Sequence, residues 1–296
     1  MINQFGVSSP YLPDSSIEQW DGEIPICKIS NLTLAIQANA YYFGHPTWAK
    51  NYFSACHRDA AFADRWQAVI GNWQNKIVVD VGCGPGNLYA TLGDRCGKPR
   101  RLIGVDVSLG ALKMAKTLGY TPVLADAQQL PFESGFADIV MVNATLHHCD
   151  NMAKALQESA RLVRPGGLLI TDHDPQQSAW QYRQLGLWLW KARLPFYRWL
   201  KRGGHSTPDE QFWGLASEVH HKPGDGVTPE FYQEILEPLG FSLHIYPHNN
   251  TAGKEVLQGN YGRSIWKCRL AQQLSGINPD SPMAALSLMC VARRTA

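Results

Sequence analysis

The chain has 296 residues, 45% hydrophobic and 18% charged, a balance that supports a large folded core and excludes a disordered, collagen-like or coiled-coil chain. With 27 basic residues against 25 acidic the formal charge is +2, so no global field attracts a polyanion and nucleic acid is not expected as a partner. Seven scattered cysteines (Cys27, Cys56, Cys83, Cys96, Cys149, Cys268, Cys290) form no CxxC pair, which predicts free thiols, and with neither a signal-like start nor a stretch of about 18 apolar residues the chain reads as cytoplasmic.

Residues 1–40 mix turn formers with short apolar pieces and predict no firm element beyond a short strand or helix. In residues 46–70, Trp48, Tyr52, Phe53, Cys56, Ala60, Ala63, Trp66 and Val69 recur at steps of mostly three and four, which predicts an amphipathic helix. Residues 1–70 are read as an N-terminal helical cap. From residue 76 short β-branched runs alternate with helical segments: "KIVVDVG", "RLIGVDVS", "TPVLADA", "FADIVMVNA" and "GLLITDHD" read as buried parallel strands. The fold class is α/β. Residues 71–175 form its core, residues 176–225 break the alternation as an aromatic, basic insertion, and residues 226–296 return to the core. There "TPEFYQEILEPLG" carries a helix start, Thr228 as cap and Pro229 at the first position, and "FSLHIYPH" and "ALSLMCVARR" supply two further strands.

The chemistry is concentrated at strand ends. In "IVVDVGCGPGNL" the strand ends in Gly82, Gly84 and Gly86, a turn that lets backbone approach a ligand while the next helix offers free N–H groups. A dinucleotide site uses GxGxxG, but Asn87 stands where its third glycine would be, which counts against an NAD-linked oxidoreductase. Asp106, twenty residues beyond Gly86, is placed to accept two ribose hydroxyls, and Asp126 beside Ala127 to accept from an adenine amino group. The chain has no phosphate-binding GxxxxGK[ST] loop.

Six ordered blocks, "VVDVGCGPGNL", "GVDVS", "ADAQQLPF", "FADIVMVNATLHH", "LVRPGGLLITD" and "TPEFYQEILEPLGF", resemble the class I S-adenosylmethionine-dependent methyltransferases, and among them the small-molecule type 11 group. The resemblance implies a Rossmann-like, seven-stranded, mostly parallel sheet with helices on both faces and a last strand, "SLMCVARR", running antiparallel. It implies S-adenosyl-L-methionine as cofactor. Asp80, Gly82, Gly84 and Gly86 would then meet its methionine end, Asp106 the ribose, Asp126 with Ala127 the adenine, and Asn143 the site near the methionine portion. The activity implied is methyl transfer to oxygen, nitrogen or carbon of a small acceptor; a non-catalytic member that keeps the fold as a binding module is the alternative.

Methyl transfer from a sulfonium needs alignment, and a base only where the acceptor is protonated. His147 and His148 in "NATLHHCD" are candidates, either as base or as packing residues. His173 in "TDHDP", flanked by Asp172 and Asp174, is another, the alternative being that one of the aspartates caps the next helix. No metal set is assigned, because further acidic ligands for "TDHDP" cannot be matched. His220 and His221 lie on a Pro/Gly loop, as acceptor contacts or as surface. In the insertion, Leu185, Trp188, Leu189, Ala192, Phe196, Trp199 and Leu200 share one helical stripe with Lys191, Arg198, Lys201 and Arg202 across from it, and Pro195 kinks the run. Such a segment, residues 185–202, roofs an apolar or aromatic acceptor (a natural product, quinone or lipid), touches a membrane surface or dimerises. Tyr41, Tyr42 and Trp48 are candidate lid contacts.

Overall fold

The computed structural model describes residues 11–56, 59–200 and 207–295. Two short strands, β1 (Ile17–Asp21) and β2 (Ile24–Cys27), pair as a hairpin ahead of three helices, α1 (Leu34–Gly44), α2 (Pro46–Cys56) and α3 (Ala60–Ile70). The alternating stretch then gives β3 (Ile77–Val81), α4 (Asn87–Leu92), β4 (Arg101–Asp106), α5 (Leu109–Thr117), β5 (Thr121–Leu124), β6 (Ala137–Asn143), α6 (Met152–Leu162) and β7 (Val163–Pro175). After it come α7 (Gln184–Trp199), α8 (Pro208–Ser217), α9 (Pro229–Leu236), β8 (Phe241–His248), α10 (Trp266–Gln273) and β9 (Ser287–Arg294).

The strands form one sheet in the order β1-β2-β5-β4-β3-β6-β7-β9-β8. Its last seven members are the expected arrangement, parallel except for β9, which runs antiparallel to β7 and β8. The described sheet has nine strands rather than seven, because β2 adds in parallel to the β5 edge through Ile26 and Leu124. The N-terminal segment is therefore part hairpin and part helical.

Side chains alternate between the two sheet faces. Val79, Val81, Ile103 and Val105 pack under Leu156 and Leu162 of α6 and Tyr232 and Leu236 of α9. Val78, Leu102, Ile139 and Met141 face the other way, onto Phe62, Trp66 and Ile70 of α3, Leu88 and Leu92 of α4 and Leu112 of α5. Each Val, Leu or Phe buried fully in this way stabilises the fold by about 1.5–3 kcal/mol. Capping side chains set the helix starts: Ser108 accepts from Ala111 N–H, Asn151 from Lys154 N–H and Thr228 from Phe231 N–H. The single helix expected over 46–70 is two, since Asp59 caps α3 afresh by accepting from Ala61 N–H at 2.9 Å. The readings that used Tyr52, Cys56, Arg198, Lys201 and Arg202 fall on side chains outside the described residues. The other six cysteines are free thiols.

Where the insertion leaves and rejoins the core, its ends are tied together. Gln177 N–H donates to Val227 O and Val227 N–H to Pro175 O, both at 2.9 Å.

Candidate active site

The carboxyl ends of β3, β4, β5 and β6 open onto a cleft of about 840 Å³, including its solvent-open part. Asp80, Gly82, Gly84, Asp106, Asp126 with Ala127, and Asn143 all line it; Gly86 is placed behind them as the N-cap of α4. Gly82 has φ +70°, and a Cβ there would stand 2.3 Å from Thr145 Oγ1, so the turn admits no side chain. Asp106 holds the turn in shape: Oδ2 accepts from Gly84 N–H and Oδ1 from Ser108 N–H, each at 2.8 Å. Asp126 accepts from Gln128 N–H at 2.9 Å. Four lone-pair sites per carboxylate leave both aspartates further capacity to accept.

Asp80 is buried and accepts from the Tyr120 hydroxyl at 2.7 Å. Tyr120 reaches it because residue 104 on β4 is glycine, where a Cβ would meet the ring at 2.6 Å. Burial pushes the Asp80 carboxyl up to about 7, against the Tyr120 hydrogen bond, and Asp106 up to about 6, against the N–H donors of Ser108 and Gly84. One buried and one half-buried carboxylate that ionise reluctantly favour a ligand bringing a cation and hydrogen-bond donors. The ammonium, ribose hydroxyls and amino-purine of S-adenosyl-L-methionine fit this donor and acceptor balance.

The turn after β6 separates the two adjacent histidines. His148 lines the cleft, while His147 lies behind it; their rings are 4.1 Å apart. His148 Nδ1 donates to Ser217 O at 2.7 Å, and Nε2 is buried with no hydrogen-bond partner among the described residues. Burial and then the neighbouring His147 push its pKa down to about 4, so the ring is neutral at pH 7. His147 is the opposite case. Burial would lower it, but hydrogen bonding to Asp174 (Nδ1 to Oδ1 2.8 Å) and the Glu218 charge raise it.

The expectation for "TDHDP" is corrected by the strand itself. The β7–β9 register is irregular between Thr171 and Asp174, and His173 sits there with φ +63°. The irregularity sends the two aspartates into different networks. Asp172 accepts from Arg65 Nε at 3.1 Å and Nη2 at 3.0 Å and from His248 Nε2 at 2.6 Å, whereas Asp174 holds His147. Burial would raise the Asp172 pKa, but Arg65 and then His248 hold it well below the usual carboxylate range. His173 packs on Phe62 and His248, at centroid distances of 5.2 and 5.8 Å, and is not among the cleft-lining residues. No local sequence signal announces Arg65, which lies 107 positions from Asp172.

Residues 79–171 match the model of the family described as methyltransferase domain. The chain carries a class I, S-adenosylmethionine-dependent methyltransferase domain. Its cofactor is S-adenosyl-L-methionine. A demethylmenaquinone methyltransferase of Lactococcus lactis subsp. lactis (strain IL1403) is 25% identical over 198 residues, 57% of this chain and 79% of that one. A tRNA (carboxymethyluridine(34)-5-O)-methyltransferase of Arabidopsis thaliana is 30% identical over 128 residues, 42% of this chain and 29% of the relative. Among solved structures, the plantazolicin methyltransferase BamL, in complex with a triazolic desmethylPZN analogue and SAH, superposes with TM-score 0.52 at 17% identity, over 89% of this chain and 96% of that one. The [4+2]-cyclase SpnF superposes with TM-score 0.50 at 15% identity, over 88% and 96%.

In this methyltransferase the remaining cleft wall comes from the N-terminal helices. Ile36, Asn39 and Phe43 of α1 line it, and Asn39 Nδ2 donates to His148 O at 3.3 Å. Tyr41, Tyr42 and Trp48, expected as lid contacts, are not lining residues; Tyr41 meets Trp48 edge-on and Trp213 at a tilt, and Tyr42 is buried against Trp48. Among its described residues the insertion supplies no lining residue either. It touches the site through Ser217 O and through Glu218 Oε2, 3.5 Å from His147 Nε2. The apolar stripe of α7 faces outward, with Leu185, Trp188, Phe196 and Trp199 exposed, while Trp190, off that stripe, packs on Trp180 and Tyr182. Among the described residues no helix is long and apolar enough to cross a membrane.

Proposed function

We propose that this methyltransferase transfers a methyl group to an oxygen, nitrogen or carbon atom of a small, largely apolar or aromatic acceptor of natural-product, quinone or lipid type. The observation that carries the reading is the cleft in which the strand-end carboxylates face Ile36, Asn39 and Phe43 of the N-terminal cap and His148 of the turn after β6. S-adenosyl-L-methionine, when bound, supplies a sulfonium-activated methyl group. Asp80 with Gly82, Gly84 and Gly86 would hold its methionine end, Asp106 its ribose, Asp126 and Ala127 its adenine, and Asn143 would border the methionine portion. Of the three histidines weighed for catalysis, His148 is the one we assign to the acceptor side, where its neutral Nε2 accepts the acceptor's hydrogen; His147 orders the turn beneath it and His173 packs elsewhere. The division into a cap at 1–70, a core at 71–175 and 226–296, and an insertion at 176–225 belongs to the same proposal.

Calorimetry with S-adenosylhomocysteine, followed by incubation of the chain with isotopically labelled methyl donor and a cell extract, tests it. Micromolar binding and a labelled, organic-extractable product are expected. Binding without any labelled product favours the non-catalytic alternative, and absence of binding at sub-millimolar concentration sinks the cofactor assignment for these residues.

The exposed Leu185, Trp188, Phe196 and Trp199 with Lys191 on α7 support a peripheral contact with lipid. Co-sedimentation with anionic vesicles that is unchanged by Trp188→Ser and Trp199→Ser together would dismiss this contact.

A further inference from the structure

We infer that His147, Glu218 and His221 form a binding site for one divalent transition-metal ion of the zinc type. Their donor atoms lie within 4.8 Å of one another. Glu218 Oε2 is 3.5 Å from His147 Nε2 and 2.7 Å from His221 Nδ1. Donors around a four-coordinate ion at bond lengths of about 2.1 Å stand about 3.4 Å apart, so this cluster closes on an ion with small side-chain shifts. Two imidazoles and one carboxylate leave a fourth position open and suit zinc or a similar borderline cation better than magnesium or calcium, which take oxygen donors.

Three further features belong to a built site rather than a chance meeting. Asp174, itself buried, accepts from His147 Nδ1–H at 2.8 Å, which fixes the tautomer and leaves the lone pair on Nε2, toward Glu218. The loop carrying Glu218 and His221 is pinned to the histidine turn by two hydrogen bonds, His148 Nδ1–H to Ser217 O at 2.7 Å and His220 N–H to His147 O at 2.9 Å. His221 Nε2 is buried without a partner among the described residues, and Trp180 stands edge-on to that ring at 4.6 Å. The Glu218 and His221 side chains are 30% and 31% exposed, which gives an ion its entry. Coordination through Nδ1 requires the neutral His221 ring to carry its proton on Nε2 instead of sharing it with Glu218.

The test uses the untagged full chain, freed of metal with a chelator and titrated with Co2+ as a spectroscopic probe and with Zn2+ followed by elemental analysis after gel filtration. One ion per chain is expected, with the strong visible absorption of four-coordinate cobalt, displaced by zinc. His221→Ala and Glu218→Gln, at partly exposed positions, lose both the absorption and the bound zinc while keeping the melting temperature, and Asp174→Asn weakens binding ~10–100-fold. Wild-type protein that binds neither ion, or variants that bind as tightly as wild type, overturns the inference. Binding of S-adenosylhomocysteine to the same samples reports on the cofactor site separately.

Discussion

Replacing Asp80 with Asn removes a buried charge while keeping its shape and an oxygen for the Tyr120 hydroxyl. Burial raises the Asp80 pKa from 3.8 to about 7, a gap of about 3 pH units, so holding the ionised form in the fold costs about 4 kcal/mol as an upper bound. Between these two pH values the folded chain keeps a proton that the unfolded chain has lost. The stability associated with Asp80 is therefore fully present below about pH 4, falls as pH rises, and is gone above about pH 7. Urea unfolding of the ligand-free protein from pH 5 to pH 8 reads this directly: wild type should lose about 3 kcal/mol over the interval through this group, and Asp80→Asn should lack that slope. Asp106, raised to about 6 by burial, leaves a residual slope in both proteins. The ligand reverses the order. An ammonium beside Asp80 compensates the buried charge, so S-adenosylhomocysteine should stabilise wild type more than the variant at pH 8, and its binding to wild type should ionise Asp80, giving proton release near pH 7 that varies with buffer ionisation heat. Equal slopes of stability against pH in the two proteins would refute the reasoning.

Gly82→Ala forces a side chain into a backbone at φ +70° and against Thr145 Oγ1; a loss of about 1–3 kcal/mol in unfolding experiments and of S-adenosylhomocysteine binding is expected, with Thr145→Ala restoring only the steric share. Arg65→Met leaves the Asp172 carboxylate buried with only His248 and His173 beside it, and thermal unfolding should show a loss of about 3–5 kcal/mol; a loss below about 1 kcal/mol would mean that the pair is dispensable. His148→Gln should lower turnover of the acceptor by about 10²-fold while leaving S-adenosylhomocysteine affinity within a factor of about two, and unchanged turnover would remove His148 from the acceptor side.

Local pattern carried much of this molecule. The glycine turn, the strand-end Asp106 and Asp126 and the Thr228 cap are set by neighbours within a few residues, and each lies where its pattern predicts; the antiparallel last strand, a long-range pairing, was implied by the family resemblance. Periodicity also found the helical stripe of α7 but could not orient it: the stripe that looked like a core face is the exposed one, because α7 docks through Trp190 onto Trp180 and Tyr182, residues reached only after the chain folds back.

The histidines show the same boundary. Spacing placed His147, His148 and His173 near strand ends, and there its information stopped. A strand irregularity at His173 splits Asp172 from Asp174, and the partners that give each histidine its state, Glu218 and Ser217 for the pair and His248 with Arg65 for the Asp172 network, are brought in from 69 to 107 residues away. Backbone preferences act over one or two turns, so the sequence by itself determined the core strands, the glycine turn and the strand-end carboxylates, but not the hairpin that β1 and β2 add at the β5 edge. Which buried group meets which depends on how layers pack, and only the tertiary structure decided that His148 faces the cleft, that Tyr120 holds Asp80, and that two distant loops set a carboxylate between two imidazoles.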